Sequence, residues 1–176
     1  MSDNKTSNIK TPSSNKPANS ALGYKGVVTI KKQYGKTIQN ISKQSNAGTD
    51  AFFNAILSAI VGYYDRADMP QSLDMGEMDA SKVFISYLNY TPSITGILKD
   101  TAAFFTAYIP YSAISSDKTG SLKKINCLRL LSGRSNPVEL ASITPQAEIS
   151  LEEGQALIIE WKITISNVNT TNEGGN

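Results

Sequence analysis

The chain contains no histidine and a single cysteine. Without histidine there is no Ser-His-Asp or Cys-His catalysis, no imidazole metal ligand and no histidine pH switch. One cysteine excludes internal disulfides, cysteine-rich zinc sites and CxxC redox chemistry. Net charge is also scarce, at +2 over 176 residues. The first 21 residues carry three lysines (Lys5, Lys10, Lys16) and one acid, Asp3, so residues 22–176 are neutral. A neutral body is a poor binder of nucleic acid by bulk electrostatics. No apolar run approaches the ~18–20 residues that a membrane-spanning helix needs. The N-terminus lacks the basic-then-apolar layout of a secretory signal. These absences point to a non-enzymatic protein made without a signal peptide, with no metal, no cofactor, no nucleic acid and no membrane partner.

What is present is mostly alternation. Tyr24, Gly26, Val28 and Ile30 fall on one side of an extended segment, and Lys25, Val27, Thr29 and Lys31 on the other. Gln33-Tyr34-Gly35 reads as a turn, and Lys36–Ser42 as the returning strand. Strands are expected again at Lys82–Tyr90, Thr101–Ile109, Lys123–Leu131 and Pro137–Ile143. Ser115–Ser121 between two of them has the composition of a hairpin turn. The clearest strand is 155–166, with Leu157, Ile159, Trp161, Ile163 and Ile165 on one face. One helix stands out. Thr49 or Asp50 can cap it, Phe52, Phe53, Ile56, Leu57, Ile60 and Val61 recur at helical spacing, and Gly62 can end it. Tyr63–Ala80 reads as a long connection.

The expected fold is mainly β, an antiparallel β-sandwich of about seven strands with one short apolar helix. Patterning leaves jelly-roll and immunoglobulin-like orders open. Residues 1–22 are too polar to offset the entropy of ordering and read as a flexible arm. Residues 23–167 form the sandwich and 168–176 a flexible tail.

The chemistry-bearing clusters have plain explanations. Ser115/Lys118 and Ser121/Lys124 match Ser-x-x-Lys, and Lys118-Thr-Gly follows, but both motifs share one polar turn and cannot serve two roles. Asp65, Asp68, Asp74, Glu77 and Asp79 do not follow an EF-hand order and read as solubilising acids. Lys31, Lys32 and Lys36 read as guards of a strand edge. Cys127 and Trp161 read as core. The freer aromatics are Tyr63, Tyr64, Tyr108 and Tyr111. They and Met69-Pro70 in the long connection are the candidate interface residues, for burial against protein or for stacking on a sugar.

The order of phrases carries a resemblance. Asn46-Ala-Gly-Thr-Asp50 steps into the helix that ends Val61-Gly62. Met69-Pro70, then Phe105-Thr-Ala-Tyr-Ile-Pro110, then Ile149 through Ile165 follow. Over residues 24–166 this resembles small structural proteins of tailed bacteriophages, crAss-like phages included. The resemblance implies a β-sandwich module of a virion: a head fibre, capsid-decoration or tail-accessory protein. It implies capsid or tail proteins as partners and self-association into an oligomer, and it transfers no site residues. The alternative is a carbohydrate-binding sandwich that contacts host-surface glycans.

Overall fold

The computed structural model describes residues 20–46 and 48–169. The chain is mainly β, with two antiparallel sheets and one α-helix among the described residues. β1 (Ser20–Tyr34) and β2 (Thr37–Asn46) form a hairpin, followed by α1 (Asp50–Ile60). β3 (Pro70–Met78) and β4 (Phe84–Ser86) pair next, then β5 (Ile94–Lys99) and β6 (Ala102–Pro110). β7 (Cys127–Ser132) pairs with β8 (Glu139–Ile143), and β9 (Gln155–Asn169) closes the chain. The pairs alternate between layers. One sheet has the order β2-β1-β9-β6-β5 and the other β4-β3-β7-β8. The four-stranded order is that of the C′-C-F-G sheet of an immunoglobulin-type sandwich. The five-stranded sheet departs from that plan because β9 lies between β1 and β6.

Period-two alternation builds the core. Val28, Ile30, Ala107, Ile109, Leu157, Ile159 and Trp161 from one sheet share a single cluster with Leu73, Met75, Leu128, Leu130 and Ala141 from the other. Trp161 is fully buried, and its indole N–H donates to Asn46 Oδ1 at 3.0 Å. Ile165, expected on the same buried face, is 42% exposed, because the sheet outruns the core at that end.

Among the described residues nine strands form where about seven were expected. Tyr63–Ala80 is not a long connection: a 3-10 turn at Arg66–Asp68 leads into β3, an interior strand. The acids masked it, since Leu73 and Met75 alternate with Asp74 and Gly76. β5 was missed because Gly96 interrupts its apolar alternation. Lys82–Tyr90 shortens to β4, since Tyr87 and Leu88 leave the ladder while remaining buried. Ser115–Ser121 is not a hairpin. It enters a 3-10 helix at Thr119–Lys124 that carries the chain from one sheet to the other. Lys31 and Lys32 do not guard an edge, because β1 is interior; Lys31 Nζ lies 3.8 Å from Glu160, and Lys32 Nζ donates to Ser150 Oγ. The expected arm and tail overlap described strands at residues 20–22 and 168–169, and their remaining residues lie outside the described ones.

Candidate interaction surface

Helix α1 begins as its sequence requires. Thr49 Oγ1 accepts from the Phe52 N–H, and Gly62, at φ +89°, follows the last turn. Its apolar face is broader than its contacts. Phe52 and Ala55 are buried, but Leu57, Ile60 and Val61 are 52, 65 and 69% exposed. Tyr63 and Tyr64 continue this apolar surface.

Facing α1 across a groove of about 970 Å³ lies the β5–β6 end of the five-stranded sheet. The helix contributes Phe52, Ile56 and Ala59; β5 contributes Ile94, Gly96, Ile97 and Leu98. Ala103, Phe105, Ile163 and Ile165 form the floor, and Tyr64, Met69 and Pro70 close one end. Leu98, Tyr64 and Ile97 combine this position with 81, 62 and 57% exposure. Arg66, Gln71 and Ser93 also line it, and exposed apolar surface of this kind marks contact sites.

The structure thus brings Tyr64, Met69 and Pro70 together at the groove. Tyr63 is exposed beside it. Tyr108 lies elsewhere: its neighbours Ala107 and Ile109 are fully buried, so alternation turns Tyr108 to the outer face of the sheet. Tyr111 is half-buried against the core. The four tyrosines therefore do not form one stacking platform. β5, Phe105 and Ile163 belong to the surface and were not singled out from sequence. The available signal was the Asp100-Thr101 step between Lys99 and Ala102, a two-residue hairpin loop with Asp100 at φ +55°.

The acidic residues of 65–79 do not converge on one point, although Asp65 and Asp68 share Arg134. Asp65 accepts from the Ala67 N–H, Asp68 from Arg134 Nε, and Asp79 from the Ser81 and Val83 N–H groups. The Arg134 guanidinium holds the Asp68 carboxyl below its ordinary value. Glu77 accepts from the Tyr87 hydroxyl at 2.9 Å, and burial together with that carboxylate pushes the phenol up to about 12. Asp74 is buried and accepts from Ser86 Oγ at 2.6 Å and Arg129 Nη2 at 3.2 Å. Among the described residues no three potential ligands converge on a metal position. Cys127 is buried, and that burial pushes its thiol up to about 11, which leaves it protonated and unreactive at neutral pH. Ser115 Oγ donates to Asn89 Oδ1, while Lys118 Nζ sits 5.7 Å from the Tyr87 ring and 3.4 Å from Asp117. Among the described residues no helix is long and apolar enough to cross a membrane.

No family model, no curated protein and no solved structure matches the chain.

Proposed function

We propose that the chain is a non-enzymatic structural module of a tailed-bacteriophage particle. It is attached to the capsid or tail and acts through protein–protein contacts. The observation that carries this reading is the groove between α1 and β5, with Leu98, Tyr64 and Ile97 exposed on an otherwise well-packed sandwich. The titratable groups support it in a second way. Asp68, Asp74, Glu77 and Asp79 are each engaged in holding a loop or a sheet. The resemblance over residues 24–166 supplies the kind of assembly.

The test is mass spectrometry of gradient-purified particles from cells that express the gene during infection. The protein is expected to band with the particles at a fixed ratio to the capsid subunit. Its absence from the banded particles would overturn the reading. Binding to a glycan array, lost on Tyr63→Ala and Tyr64→Ala, would favour the carbohydrate-binding alternative instead.

A further inference from the structure

The two sheets have four edge strands, and three of them are blunted. β2 is polar, carries Lys43 and is broken by a register shift opposite Ile30/Lys31. β4 is three residues long. β8 is covered: Gly48 bridges Ala141, and the Thr49 N–H donates to Leu140 O at 2.9 Å. Short edges, lysines, bulges and covering segments are the devices that keep sheet edges from pairing with other chains.

β5 is guarded only at its two ends, by the Ser93–Ser72 bridge and the Leu73 N–H to Pro92 O hydrogen bond just before it and by Lys99 at its last position. Thr95 through Lys99 is exposed, its one lysine stands at the last position, and Gly96 removes a side chain from the middle. The residues that share its inner face, Ile94, Gly96 and Leu98, are set symmetrically about Gly96. Read in either direction, that face presents a large aliphatic, a glycine and a large aliphatic.

We infer that β5 is a self-association edge, where two copies pair antiparallel about a two-fold axis at Gly96. This rests on the reading of the protein as a contact module and names the partner as a second copy. In that register Ile94 faces Leu98 of the partner subunit, and Gly96 faces its own equivalent. A strand paired with itself is an isologous contact, which closes after two copies. Parity is preserved, so inner faces stay continuous and each groove gains an aliphatic side chain from the other copy. The symmetry of the inner face about Gly96 favours a second copy over an unrelated strand, which would need no such symmetry. Leu98, 81% exposed in the single chain, is the side chain that most needs this cover.

The test uses the full chain. Light scattering across a concentration series is expected to show a monomer–dimer equilibrium. Hydrogen exchange is expected to show β5 amides gaining protection as the dimer forms. Leu98→Lys places a charge opposite Ile94 and is expected to weaken the dimer about tenfold or more, without changing the circular dichroism melt at concentrations too low for association. Tyr108→Ala, on the other face of the sheet, is expected to leave it intact. A monomer at every concentration would overturn the inference, as would a dimer whose β5 amides exchange freely and which Leu98→Lys leaves unchanged. Neither result decides whether the protein bands with particles, so the two readings fail separately.

Discussion

The outer face of the four-stranded sheet and the β5 end of the five-stranded sheet treat their exposed positions in opposite ways. On the first, Asp74 on β3 is buried beneath neighbouring side chains. Its carboxylate takes hydrogen bonds from Ser86 on β4 and Arg129 on β7, tying three strands together. The Arg129 guanidinium also lies 3.4 Å from the centre of the Phe84 ring. At the β5 end, Leu98 and Ile97 remain uncovered. One region is closed within the chain and the other stays open, and the difference separates a structural clamp from the surface proposed above for contact.

The strongest way to break the comparison is to remove the clamp. Asp74→Ala leaves Arg129 without its carboxylate in a largely buried position. It is expected to cost about 3 kcal/mol in denaturant unfolding. A cost near zero would mean that the ion pair holds nothing together. Gly76→Ala attacks the same sheet through its backbone. An added Cβ would sit 2.0 Å from the Ile85 carbonyl oxygen, so β3 and β4 must separate. An expected loss of about 2 kcal/mol follows from overpacking of this kind. Chemical denaturation of both variants checks the order.

Titration offers a gentler probe of the covered face. Cys127 stands on it beside Arg129, and its thiol is raised from an ordinary 9.0 to about 11. The unfolded chain therefore loses this proton first as pH rises. The contribution is fully present below about 9 and is lost as pH climbs toward 11. Cys127→Ala is expected to flatten that part of the alkaline limb in melts run from pH 8 to 12. An unchanged limb would mean that the thiol is solvated.

Much of the sandwich was legible because burial on one face leaves strict alternation. Val28 and Ile30, and Leu157 through Ile163, needed nothing more than the period of a strand. β3 was not legible for a physical reason. Its outward carboxylates resemble loop chemistry until Arg129, from a strand some fifty residues later, is known to lie against them. β5 was illegible for the opposite reason: an open edge lacks the burial that would impose a pattern. Tyr64, Met69 and Pro70 could be nominated from composition, but only tertiary structure sets α1 opposite β5 and parts Tyr108 from them.

The smallest expected effect sharpens the comparison most. Leu98→Ser removes a large aliphatic side chain, which in a core costs about 2–5 kcal/mol on truncation to a small residue. At 81% exposure the side chain has almost nothing to lose within its own fold. Unfolding of the isolated monomer, measured at concentrations too low for association, is expected to change by less than about 0.5 kcal/mol. Leu130→Ala, on the fully buried face of β7, provides the contrast and is expected to fall in the core range. Similar costs at both positions would mean that β5 is packed within the single chain and leaves nothing for a partner to cover. A large difference would locate the value of Leu98 outside the monomer, since an aliphatic side chain that does not stabilise its own fold has only solvent or another molecule to meet.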